Sequence, residues 1–280
     1  MITVRTILIT ALVLLGLGIA MHVVAVVGFD RLAKQSVLEL QAAEPNDSEP
    51  PEAPLTIPST IESFAERVGV KPNRVPQWVR LRQSAEMRMA PNKPWQPLDA
   101  QQVISIHRPG FVWYAEQSRA RFVALRVIDA YVGGHGFLKA RLLGSIPVAN
   151  LDGPEADQSE LTRYLAELPW APDAMLHNPA LRWRELDRQT IEVSADSNGG
   201  VAAVRLYFDD AGDIFEIQAD ERGSTENGQV IQRPWVGRFS AYGLLGGRRI
   251  PTKAEVGYVY DDGYAAYWRG EITEYELQGD

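Results

Sequence analysis

Positions 7–29 are apolar apart from Thr10 and His22 and carry no formal charge. Written as a helix, that stretch rises about 34 Å, enough to cross a hydrocarbon core of about 30 Å. The apolar pattern then disappears. Over 41–58 the chain reads QAAEPNDSEPPEAPLTIP, rich in Pro, Glu and Asp with no period, which predicts an extended, mobile segment. From position 59 the pattern returns, first at helical spacing (Ile61, Phe64, Ala65 and Val68 behind Ser59 and Thr60) and then with a period of two.

The period of two is clearest over 78–89. Val79, Leu81, Ala85, Met87 and Met89 alternate with Arg80, Arg82, Ser84, Glu86 and Arg88, as in a strand with one wet and one buried face. Similar stretches are predicted near 98–106, 111–116, 122–131 and 137–146. A second series runs near 181–186, 190–194, 201–208, 214–219, 235–244, 252–260 and 264–275. Tight turns separate them at Gly133-Gly134-His135-Gly136, Ser197-Asn198-Gly199-Gly200, 209–213 and Asp261-Asp262-Gly263.

Between the two series the period switches to helical. Over 159–168, Leu161, Tyr164, Leu165 and Leu168 share one face, Ser159 can cap the N-terminus and Pro169 ends the run. A second short helix is predicted over 170–176, with Pro172 in its first turn.

The chain therefore divides into a transmembrane anchor (1–30), an acidic Pro-rich linker (31–58, of which 31–40 can prolong the helix) and a β domain (59–280). That domain carries a helical insertion near 159–177. About a dozen short-linked strands predict a mainly β fold: one large, curved, antiparallel sheet resembling a half-barrel, with the helices on its concave face.

An apolar run this long exceeds the 7–15 residues usual in a cleaved signal, and no small-x-small site follows it, so an uncleaved single span is expected. Arg5 and the terminal amine on one side balance Arg31 and Lys34 on the other, which leaves orientation open. The arrangement preferred here keeps the short tail inside and the domain extracytoplasmic. His22 within the span reads as a neutral imidazole, and the Gly16/Ala20 pair carries no function by itself.

Charge and composition exclude more than they assign. The net charge of −8, with Lys and Arg scattered among more numerous acids, argues against a nucleic-acid partner. The absence of cysteine removes disulfides, thiol nucleophiles and Cys-bound zinc. His107, His135 and His177 lack metal-ligand spacing, and 209–213 reads as a hairpin turn rather than a calcium loop. No nucleophile elbow, phosphate loop or nucleotide fingerprint occurs, so no catalytic residue, metal or cofactor is assigned.

Six segments together carry a family likeness. They are Arg163-Tyr164-Leu165-Ala166-Glu167, Trp170-x-Pro172, Leu181-x-Trp183, Pro234-Trp235, Arg249-Ile250-Pro251-Thr252 and Tyr267-Trp268-Arg269-Gly270. Across the globular domain the chain resembles an uncharacterised bacterial family, a domain of unknown function, which implies no activity. In strand–helix–strand order it also resembles the open half-barrels of periplasmic lipoprotein carriers and related lipid-binding proteins, a likeness of topology alone.

Seven tryptophans are many for this length. Tyr164, Leu165, Trp170, Trp183, Trp235 and Trp268, grouped around the insertion, are the candidate lining of an apolar ligand site, although aromatic residues fill β cores by default. Arg163 and Glu167, four apart on one helix face, read as a salt bridge docking the helix on the sheet, the alternative being a clamp for a headgroup. The first functional expectation is a membrane-anchored module holding a lipid or other apolar ligand between sheet and helices. A second is an assembly module of the envelope without a cavity, its protein partners unidentified. A third, hydrolase-like enzyme would need Asp129, Glu167 and His135 to converge in a cleft.

Overall fold

The computed structural model describes residues 4–42, 56–71, 73–119, 122–226 and 229–279. Helix α1 (Val4–Ala42) is followed by α2 (Ser59–Arg67) and six strands: β1 (Trp78–Met87), β2 (Gln96–Ser105), β3 (Phe111–Arg119), β4 (Phe122–Val132), β5 (His135–Leu142) and β6 (Ile146–Leu151). The insertion comprises α3 (Pro154–Ala166), a 3-10 turn (Leu168–Trp170) and α4 (Pro172–His177). Then come β7 (Arg182–Asp187), β8 (Thr190–Ser197), β9 (Gly200–Phe208), β10 (Ile214–Glu226), β11 (Gln229–Leu245), β12 (Arg248–Tyr260) and β13 (Gly263–Gln278). The thirteen form one antiparallel sheet in the order β6-β5-β4-β3-β2-β1-β13-β12-β11-β10-β9-β8-β7. The expected mainly β, curved, half-barrel-like sheet is the fold observed.

The curvature follows from what one helix touches. β5 and β9 lie nine places apart in the sheet, about 43 Å at the usual strand spacing, yet α3, about 10 Å across, contacts both. Only a sheet wrapped around the helix allows this. Two hairpin turns close on the first turn of α3: Gly136 N–H donates to Asp157 Oδ1 (2.6 Å), and Gln158 Nε2 donates to the Val201 carbonyl (2.8 Å). The turns also meet each other, Asn198 Nδ2 donating to the Gly134 carbonyl (3.1 Å). A side chain on Gly136 or Gly199 would collide with the α3 backbone at Ala156 or Pro154, so both glycines are steric requirements.

Alternation of burial breaks down where the sheet is covered twice. On β2–β4, Ile104, Phe111, Trp113, Val127 and Tyr131 face the insertion, while Val103, Val112, Ile128 and Ala130 on the other side receive Phe29, Ala33 and Leu40 of α1. The apolar run thus continues as helix through Ala42 and docks on the outer face of the sheet. Within the stretch read as linker, 31–42 is helical and 43–55 lie outside the described residues.

Two local expectations are corrected. The predicted strand at 137–146 is a hairpin: β5 ends at Leu142, Leu143 (φ 51°) and Gly144 (φ 73°) turn the chain, and β6 begins at Ile146. The turn is obscured in sequence because its Gly144-Ser145 pair is flanked by Leu142, Leu143 and Ile146. The insertion also starts earlier than expected. Pro154 occupies the first turn of α3 behind Gly153, with Glu155 and Asp157 favouring that end of the helix dipole, and Ser159 lies mid-helix rather than at its cap.

Candidate functional site in the concave face of the sheet

The insertion is buried almost all round, although it carries charges. Over 160–175 every residue is buried except Arg163, whose side chain is 14% exposed. Three arginine clusters join it to the sheet. Arg163 donates to Asp129 Oδ2 of β4 (2.5 Å) and to Glu167 Oε1 (2.8 Å). Arg222 of β10 lies 3.4 Å from Glu160. Arg248 of β12 grips Asp173 of α4 with two bonds (2.6 and 2.8 Å), and Asp173 is fully buried.

The register builds the central cluster. Gln102, Trp113 and Asp129 are consecutive ladder partners on β2, β3 and β4, a polar rung facing α3. Trp113 Nε1 donates to Gln83 Oε1 (2.8 Å), Gln83 Nε2 to Gln102 Oε1 (3.1 Å), and Gln102 Nε2 to Glu167 Oε2. The Arg163 guanidinium packs against the Phe111 and Trp113 rings, 4.9 Å from each. Burial alone would lower its pKa; the carboxylates of Glu167 and Asp129 outweigh that and hold it above its ordinary value.

At Glu160 burial is the stronger influence. Burial, reinforced by the Asp129 charge, pushes its pKa well up, with Arg222 pulling the other way. The Arg222 contact is long for an ion pair, so burial outweighs it and favours the protonated carboxyl. Among the described residues Asp129 Oδ1 is buried without an amide, amine or hydroxyl donor, and a protonated Glu160 would supply one.

Two β-bulges aim the neighbouring side chains. The shift at Ala219/Arg222 turns Arg222 inward, where it donates to Ser159 Oγ (3.2 Å) and stacks on Trp235 (4.3 Å). The shift opposite Val256/Gly257 turns both Tyr267 and Trp268 inward. Tyr267 accepts from Trp235 Nε1 (3.1 Å) and stacks on Tyr258 (5.3 Å), while Trp268 meets Trp170 edge-on (6.3 Å).

Tyr164, Leu165, Trp170 and Trp268 therefore lie in one core, and Tyr164 donates to the Ser105 carbonyl (3.1 Å). Trp235 belongs to the same core and donates to Tyr267. Trp183 sits half-buried on edge strand β7, four places from Trp235's strand. Asp129 and Glu167 meet at Arg163, whereas His135 is exposed at the β4–β5 turn. Sequence reasoning missed Gln83, Gln102, Glu160 and Arg222, which are remote from one another along the chain; the one local signal was the Arg163/Glu167 spacing.

The concave wall is not uniformly covered. Beneath the insertion Tyr164 and Leu165 have no exposure, but beyond the first turns of α3 the wall continues as Met87, Val256, Tyr258 and Tyr267, all half-buried. This apolar and aromatic shelf borders the Arg222–Glu160 cluster. On the opposite side of the sheet, a recess of about 1010 Å³ is lined by ion-paired residues such as Glu86, Arg269, Arg238 and Glu255.

Residues 49–270 match the model of a family of unknown function, DUF6544. The chain belongs to this family. The matched span begins beyond α1, so the apolar helix lies outside it. No curated protein matches the chain. Among solved structures it is similar to a LolA superfamily protein from Nitrosomonas europaea (12% identity, 81% of this chain and 96% of that one, TM-score 0.42). It is also similar to a putative outer membrane lipoprotein-sorting protein domain from Vibrio parahaemolyticus (9%, 78% and 91%, 0.44). A DUF1329 family protein from Desulfovibrio piger gives 7%, 80% and 94%, 0.43.

Proposed function

We propose that this protein is a single-pass, membrane-anchored binding module whose extracytoplasmic domain takes an apolar ligand, an acyl chain or lipid, in the curve of its sheet. The observation that carries the reading is the half-exposed shelf of Met87, Val256, Tyr258 and Tyr267, an extension of the core that the insertion leaves partly uncovered. The ligand lies along the shelf, and the insertion with Tyr164, Leu165, Trp170 and Trp268 forms the wall at its end. The Arg222 region offers donors to a polar headgroup. Anchoring is supported by α1, which is apolar enough to cross a bilayer and is packed on the domain through Phe29, Ala33 and Leu40.

The alternatives have less support. An assembly module recruiting through a bare sheet edge is disfavoured, because β6 carries Pro147 and β7 reads Arg-Trp-Arg-Glu-Leu-Asp, both edge-guarding devices. A hydrolase is disfavoured because Asp129 and Glu167 are buried and bonded to Arg163.

Native mass spectrometry with lipid extraction on the full chain, purified from a bacterial host, tests the reading. A co-purifying lipid or fatty acid is expected, and Val256→Glu should abolish it while leaving the fold intact. A ligand-free wild-type protein that stays ligand-free when acyl chains are added would overturn it.

A further inference from the structure

The β5–β6 hairpin presents apolar side chains to solvent where a β-turn usually presents polar ones. Leu142, Leu143, Ile146 and Val148 are between 43 and 55% exposed. Leu143 adopts φ 51°, a left-handed conformation that bulky residues rarely occupy. An outward-pointing leucine held in an unfavourable backbone suggests a role at that spot rather than core filling.

The same turn lies against α1. His22 Nδ1 is 2.8 Å from Ser145 Oγ, and Arg141 Nη1 donates to the Ala25 carbonyl (3.1 Å) with its guanidinium over the Phe29 ring (5.0 Å). A side chain on Gly144 would lie 3.1 Å from Val26 Cγ2, so the turn and the helix are in close contact. The hairpin tip is therefore level with positions 22–26, short of the end of the apolar run at Phe29 by about 5–10 Å of helix rise. Just beyond that end, Arg31 and Lys34 are exposed, at the height expected for lipid phosphates.

We infer that the β5–β6 hairpin is a second membrane contact, its tip inserted in the headgroup–acyl boundary beside α1. The inference rests on the anchor reading above, because α1 sets the height of the bilayer. The occupant is a lipid bilayer surface. The exposed face of α1 continues into the exposed side chains of the hairpin, and an insertion of this depth is typical of interfacial apolar segments. Two membrane contacts, α1 and the hairpin, would fix the tilt of the domain on the bilayer more firmly than α1 alone.

The cysteine-free chain allows single-site labels. Leu143→Cys and Ile146→Cys carry an environment-sensitive nitrobenzoxadiazole dye, with Leu15→Cys in the span and Leu244→Cys on the far β11–β12 turn as references. The full-length protein is reconstituted in phosphatidylcholine–phosphatidylglycerol vesicles containing lipids spin-labelled near the headgroup or deep in the acyl chain. Labels at 143 and 146 should emit to the blue of the label at 244, lose their quenching by aqueous iodide and be quenched most by the shallow spin label. Water-like emission with full iodide quenching at 143 and 146, alongside deep lipid quenching at 15, would overturn the hairpin contact and leave the anchor standing. Water-like behaviour at 15 as well would remove the anchor and the hairpin contact together.

Discussion

Arg163 and Glu160 lie one turn apart on the same buried helix, and their environments favour the charged form of the first and the neutral form of the second. Arg163 is stacked between rings and bonded to two carboxylates; replacing it with Met would leave Asp129 and Glu167 buried without their cation. Such a loss costs about 3–5 kcal/mol, so urea denaturation of Arg163→Met should show a strongly lowered midpoint, with Arg163→Lys in between. The pKa of Glu160 is raised in the fold, so above the unfolded value the folded state binds more protons. Its contribution to stability is fully present below the unfolded value of about 4.3 and is lost as pH rises toward the elevated folded pKa. Glu160→Gln keeps the neutral geometry. The stability difference between Glu160→Gln and wild type should therefore grow in favour of the variant as pH rises above the unfolded value of about 4.3. A difference that stays constant as pH rises would contradict the raised pKa. The partners of Arg163 show what sequence reveals at this scale. Glu167 is visible because four residues on a helix always make one face, whereas Asp129 is 34 residues away and reaches Arg163 only through the β2–β4 register.

At the scale of elements, the sheet is held around α3 by contacts that only small residues allow. Gly136→Ala or Gly199→Ala would press a methyl group on the α3 backbone, an overpacking expected to cost about 1–3 kcal/mol by thermal or urea melts. Helix α1 makes a second packed layer. Removing residues 1–55 uncovers Val103, Val112, Ile128 and Ala130, so a chain starting at Thr56 should bind hydrophobic dyes and melt lower than one starting at Asp30. Most strands were legible because one wet face leaves an alternating pattern, as over Val79, Leu81 and Ala85. Alternation failed where both faces are covered, as from Gln102 to Ser105 on β2, and the β5–β6 turn was obscured by the apolar residues on either side of Gly144-Ser145. Bulges were invisible in the sequence: nothing around Arg222 or Tyr267 announces that a ladder shift turns it inward.

For the whole molecule, the decisive feature is a sheet curved around its own helical insertion, with a shelf left half-covered at one end. The hydrophobic periods of the sequence carried the fold class and the place of the insertion, because a helical run between two strand series has to pack on one face of the sheet. The division between buried wall and exposed shelf depends on how far β10–β13 extend past α3, a three-dimensional relation without local signature. Ligand binding on that shelf is the claim on which the functional reading depends. Brominated fatty acid quenches tryptophans it touches, and Trp235 borders the shelf through its bond to Tyr267. Titration of the detergent-solubilised full chain should give saturable quenching, reduced in Trp235→Phe and lost in Val256→Glu. Quenching that is absent in the folded wild type, or unchanged by Val256→Glu, would contradict an acyl-chain site in the concave face.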